Sequence, residues 1–114
     1  MLKSKIHRAR ITGAELDYEV SISIDTALLQ AADMLPGEQV HMVNLNNGSR
    51  IITYIIDAPA NSRQILLNGP AARTGRAGDE VAVLSYCDIP DADARSHKLL
   101  VVLIDDNNRL RAST

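Results

Sequence analysis

The chain has 114 residues, a formal net charge of −2, 46% hydrophobic and 23% charged residues, the size and usage of one small globular domain, 1–114. The acidic balance lacks the broad basic field that nucleic acid requires, and no apolar run suits a bilayer span or a signal peptide, so a cytoplasmic protein with neither partner is expected. Cys87 stands alone and His7, His41 and His97 are scattered, which excludes an internal disulfide and leaves no pattern for a metal site.

Most apolar segments are short, rich in Ile and Val and bounded by turn residues. They predict strands near 3–11, 19–25, 38–45, 50–57, 63–68, 80–87 and 99–105. Lys3, Lys5, His7, Arg8 and Arg10 make the first of these locally basic, which reads most simply as a solvated strand with charged residues. Alternation in the second sets Glu19, Ser21, Ser23 and Asp25 on one face of a half-buried strand and Val20, Ile22 and Ile24 on the other. Thr26 is suited to cap a helix carrying Leu28, Leu29, Ala31 and Ala32. Asn46-Asn47-Gly48 predicts a hairpin turn, Gly78-Asp79 another turn, and Pro90 starts a short helix over 91–95. The aromatics are Tyr18, Tyr54 and Tyr86 alone, so the core must be aliphatic. So many short strands in one domain favour a closed barrel, because closure removes exposed edges.

Four segments carry chemistry: Lys5-Ile6-His7-Arg8, Tyr18-Glu19-Val20-Ser21-Ile22-Ser23-Ile24-Asp25, Asn47-Gly48-Ser49-Arg50-Ile51-Ile52-Thr53-Tyr54 and Asn68-Gly69-Pro70-Ala71-Ala72. Each alone has an ordinary reading, such as a hydrogen-bonded strand serine, a surface cation, a packing tyrosine or a generic Asn-Gly turn. In this order, across roughly the first three-quarters of the chain, they resemble the bacterial aspartate 1-decarboxylase family. That resemblance implies a mainly β fold, a small double-psi β-barrel with short helices, assembled as a homotetramer with sites at subunit boundaries. It also implies conversion of L-aspartate to β-alanine and carbon dioxide through a substrate imine, supplying pantothenate synthesis.

The cofactor implied by the resemblance is a pyruvoyl group made from Ser21. Its hydroxyl attacks the Val20 carbonyl, the amide becomes an ester, and elimination severs the chain between Val20 and Ser21. Thr53 matches the position that assists this step. Lys5 and Arg50 match the contacts for an anionic substrate, and Tyr54 matches the residue that returns a proton to the decarboxylated carbon. Asn68, Gly69 and Ala71 line the site, while Tyr18 and His7 match supporting positions. Arg50 and Tyr54 are four apart in a predicted strand and share a face, whereas alternation sets Thr53 on the other.

Two departures matter. Pro70 replaces a usual alanine and removes one amide donor. Val20 replaces the usual glycine before the reactive serine: a β-branched residue resists positive φ and crowds the carbonyl. Strain of about 1–3 kcal/mol on the transition state would slow maturation roughly tenfold to a hundredfold. A maturation helper protein, or an unprocessed decarboxylase-like binding or regulatory protein without the pyruvoyl group, therefore stands as the alternative. A small β-barrel DNA-binding module has only the N-terminal basic patch in its favour, against an acidic whole.

Overall fold

A computed structural model describes residues 1–111; the last three residues of the expected 1–114 domain lie outside the described residues. Eight strands form in chain order: β1 (Leu2–Arg10), β2 (Gly13–Glu15), β3 (Ser21–Asp25), β4 (Gln39–Asn44), β5 (Arg50–Ala58), β6 (Ile65–Asn68), β7 (Glu80–Tyr86) and β8 (Leu100–Leu103). One helix, α1 (Thr26–Ala32), follows β3, and 3₁₀ turns span Gly69–Arg73 and Asp91–Ser96. The strands hydrogen-bond in the order β2-β6-β3-β5-β4-β7-β1-β8. Only Ile11 and Thr12 separate β1 from β2, so one nearly continuous segment links β2, at one end of that order, to β1, next to the other end, and closes the sheet on itself. The main-chain N–H groups of Ile11 and Thr12 donate to Asp79 and Ile65 at 2.9 Å each, sealing the seam.

The mainly β barrel with short helices is thus as expected. β1–β8, β2–β6 and β3–β5 pair in parallel and the remaining pairs are antiparallel. The interior is aliphatic: Ile6, Ile22, Ile24, Val40, Met42, Ile55, Ile65, Leu67, Val81 and Val83 are buried. β-Branched side chains fit a pleated surface covered on its inner face, which is why these segments become strands.

Four local expectations are corrected. The second strand begins at Ser21, because Tyr18, Glu19 and Val20 bend away over the turn after β6. It is not half-buried, since Asn68 and neighbouring loops cover the serine face and Ser21 and Asp25 are both buried. β6 starts at Ile65 rather than at 63, after Asn61 and Arg63 take positive φ. The cap of α1 is Asp25, whose carboxylate accepts from the Ala27 amide at 2.8 Å; Thr26 is already helical and donates its hydroxyl to the Ala58 carbonyl. β2 has no counterpart in the sequence expectations, being too short for alternation to register. The predicted turns are present at Gly48, where φ is +77°, and at Gly78-Asp79.

Asp25 does more than cap. Oδ1 also accepts from the Asn61 amide and Oδ2 from the Arg63 amide, both at 2.8 Å, so one buried carboxylate holds two positive-φ residues in place. Asp25→Ala is expected to cost about 3 kcal/mol, by loss of a cap and of charge-assisted bonds to three main-chain amides. Equilibrium denaturation measures this, with Asp25→Asn falling between the native chain and the alanine variant.

Candidate active site

Ser21 opens β3 with no exposed surface. Antiparallel pairing sets it opposite Asn68, and the Asn68 amide donates to Ser21 Oγ at 3.1 Å and to Ser23 Oγ at 2.8 Å. The Ser21 hydroxyl itself donates to the Glu19 carbonyl at 2.9 Å. The register of β3 against β5 pairs Ile22 with Ile55; carried back one residue, it sets Ser21 beside Tyr54. Tyr54 Oη donates to Glu19 Oε2 at 2.8 Å. That bond exists only while the phenol is protonated, so it raises the Tyr54 pKa above the ordinary tyrosine value, with desolvation and the Glu19 charge acting in the same direction.

Gly69 sets the course of the segment before the serine. Its φ is +60°, and a Cβ there would lie 2.3 Å from the Tyr18 carbonyl oxygen and 3.0 Å from the Glu19 carbonyl carbon and the Val20 nitrogen. Only a residue without a side chain lets residues 18–20 lie on the turn after β6. Val20 keeps out of the left-handed region and its side chain is 45% exposed, so the backbone strain anticipated for a β-branched residue is absent from the uncleaved chain.

The structure thus brings together Ser21, Asn68, Gly69, Tyr54, Tyr18 and Glu19. Tyr18 contributes its carbonyl to the Gly69 contact, while its ring is exposed. Ala71 is buried in the core, and its carbonyl accepts from Thr74. Thr53 faces inward, opposite to Tyr54, on a β5 that pairs regularly with β4 and β3; it makes no hydrogen bond to Ser21, and its buried Oγ1 has no partner. No bulge carries it to the serine.

Lys5 and Arg50 stand apart from this cluster. Arg50 is four residues from Tyr54, about 13 Å along β5. Lys5 lies on β1, three strands beyond β5, about 14 Å across the sheet. Among the described residues its ammonium has no ion-pair partner, whereas Lys3 and Arg10 do. His7 is on β1 too, beside a bulge at which Arg8 takes positive φ; Nδ1 is buried without a partner, and burial, then the Lys5 and Arg8 charges, lowers its pKa. Glu19, His41 and Tyr86 enter the geometry without having been assigned roles from sequence. An acid next to the bond ahead of Ser21 was a usable signal for Glu19; the other two become neighbours only through strand register. No group of three or more His, Cys, Asp or Glu side chains among the described residues is arranged to hold a metal.

A family model described as aspartate decarboxylase matches residues 1–111. The aspartate 1-decarboxylase of Dehalococcoides mccartyi is 56% identical over 110 residues, covering 96% of this chain and 89% of that protein. The Salinibacter ruber protein of the same name is 52% identical over 108 residues, covering 95% and 74% respectively. Aspartate 1-decarboxylase 2 of Gloeobacter violaceus is 51% identical over 110 residues, covering 96% and 88%. A small β-barrel with a buried serine at a strand start, matched over nearly its whole length, belongs to the aspartate decarboxylase family.

Two measurements probe the local geometry. Gly69→Ala is expected to cost about 1–3 kcal/mol and to release residues 18–20, seen as faster amide exchange there. Tyr54, with its folded pKa raised above 10.0, contributes stability that is fully present below that value and is lost as pH climbs through the raised one. Glu19→Ala should return the phenolate titration toward the ordinary range, with Tyr54→Phe identifying the transition.

Proposed function

We propose that this chain is a pyruvoyl-dependent aspartate 1-decarboxylase, acting in the cytoplasm, which converts L-aspartate to β-alanine and carbon dioxide after cleaving itself between Val20 and Ser21. The observation that carries the reading is the fully buried Ser21, with an Asn68 amide on its oxygen and a peptide segment held against Gly69 immediately before it. In maturation Ser21 Oγ leaves the Glu19 carbonyl and attacks the Val20 carbonyl carbon, and its proton passes to the Ser21 nitrogen as the Val20–Ser21 C–N bond breaks and the ester forms; loss of the Ser21 α-proton then expels Val20 as a carboxylate and leaves a dehydroalanine, which water hydrolyses to the ketone with release of ammonia. The Asn68 N–H stabilises negative charge growing on Oγ. Thr53 Oγ1, buried without a partner, is a hydroxyl free to donate once the segment moves.

The surroundings of Ser21 fit a small carbonyl group, since the Asn68 amide is a donor ready for its oxygen. Such a group supplies a sink for the electrons released with carbon dioxide. Tyr54 is held protonated by its raised pKa and is the proton donor on that face of the barrel. Severing the peptide frees Glu19 to release the Tyr54 hydroxyl. Lys5 and Arg50 bind substrate carboxylates, and their separation from Ser21 within one chain supports a site completed by a second copy. The exposed apolar side chains Ile52, Leu100, Val101 and Leu103 support burial between copies in a homotetramer. Tyr18 and His7 act in support.

The crowding by Val20 favours a second reading, an unprocessed regulatory or binding protein, or maturation by a helper protein. Intact-mass analysis of purified protein, with Ser21→Ala as the control, decides between them. Two fragments, residues 1–20 and a carbonyl-bearing remainder, together with β-alanine formed from aspartate in preference to the glutamate product, are the expected result. A single chain that persists after long incubation and with cell extract overturns the enzyme reading. Val20→Gly is expected to speed cleavage about tenfold, the effect of roughly 1.4 kcal/mol on the barrier.

A further inference from the structure

Arg50 is exposed, yet it does not project freely. Its Nε and Nη2 approach His41 Nδ1 at 3.2 and 2.9 Å, and Nη2 donates to Tyr86 Oη at 3.0 Å. The His41 and Tyr86 rings pack at a tilt of 58° with centroids 4.8 Å apart. The three residues come from β5, β4 and β7, which are consecutive in the sheet, so the clamp is built on a rigid surface. A histidine that accepts at Nδ1 carries its proton on Nε2; a protonated ring would have no lone pair there and would repel the guanidinium.

Two features mark this as more than surface packing. Arg50 Nη1 has no partner among the described residues, so one end of the guanidinium is fixed in direction and left with open donors. The carboxylate in the depression lined by Glu38, Gln39, His41 and Tyr86 is also accounted for: Glu38 accepts from Lys3 through Oε1 and from Ser85 through Oε2, and forms no ion pair with Arg50. Glu38 therefore leaves the positive charge of Arg50 uncompensated. A free arginine side chain gives up rotamer entropy when it binds, and a clamp removes much of that cost before a ligand arrives.

We propose that His41 and Tyr86 are positioning residues that hold Arg50 as a preset docking point for a substrate carboxylate, so that they govern KM rather than the chemical step. The proposal rests on the decarboxylase reading. Its test uses self-cleaved protein, in the native sequence or with Val20→Gly. His41→Ala is expected to raise KM for L-aspartate about tenfold and Tyr86→Phe about threefold, each with kcat within about twofold, the pattern of lost uniform binding. His41→Gln, whose side-chain oxygen can accept from Arg50, should recover most of the loss. In an Arg50→Ala background, His41→Ala should add nothing further.

An unchanged KM in His41→Ala, or an equal fall in kcat and kcat/KM, overturns the clamp. If Arg50→Ala raises KM while His41→Ala does not, only the clamp falls; if Arg50→Ala leaves KM unchanged, the assignment of Arg50 to substrate falls with it. Chains that stay whole in both sequences overturn the decarboxylase reading and the clamp together.

Discussion

The approach of residues 18–20 to Gly69 is the contact on which the rest of the site depends. A main chain can lie this close to another only where one of them lacks Cβ, and the positive φ of Gly69 reinforces the requirement. Because the segment is pressed there, Glu19 is delivered to two partners at once: its carbonyl to the Ser21 hydroxyl and its carboxylate to Tyr54. Asn68, one residue before Gly69, then meets Ser21 through sheet register. Residues far apart in sequence are thus gathered by one turn.

Burial strengthens the contacts of Ser21 itself. In a low-dielectric setting an unpaired hydroxyl is costly, so the Asn68 amide bridging Ser21 and Ser23 is a structural necessity. Thr53 is one exception, since its inward hydroxyl lacks a partner, as does that of Ser4. An inward hydroxyl left unsatisfied one residue from Tyr54 is a local cost of the fold.

Much of the fold was legible because Ile and Val segments with turn residues between them admit few other readings. The strand expected over 19–25 failed at its start for a tertiary reason: Glu19 and Val20 continue the alternation, but Gly69, in another segment, draws them out of line. Asp25 and Thr26 are both competent caps by local rules; the amides of Asn61 and Arg63, distant in sequence, settle the choice by needing the same carboxylate. His41 and Tyr86 carried no signal because their relation to Arg50 is a matter of register across β5, β4 and β7. The resemblance supplied candidate roles for Ser21, Tyr54 and Asn68, while their mutual placement required the folded chain.

Val20 shows where a departure from the family pattern acts. Its side chain reaches solvent and its backbone avoids the left-handed region, so the uncleaved state gains nothing from a glycine there. In the proposed self-cleavage, any advantage of glycine therefore lies along the rearrangement, when the Val20 carbonyl would turn toward Ser21 Oγ and become tetrahedral. At that point the branched side chain has to move past the backbone that Gly69 holds in place. On that proposal, the packing that orients the serine also limits how the Val20 carbonyl can turn, and the valine narrows that path without straining the starting backbone.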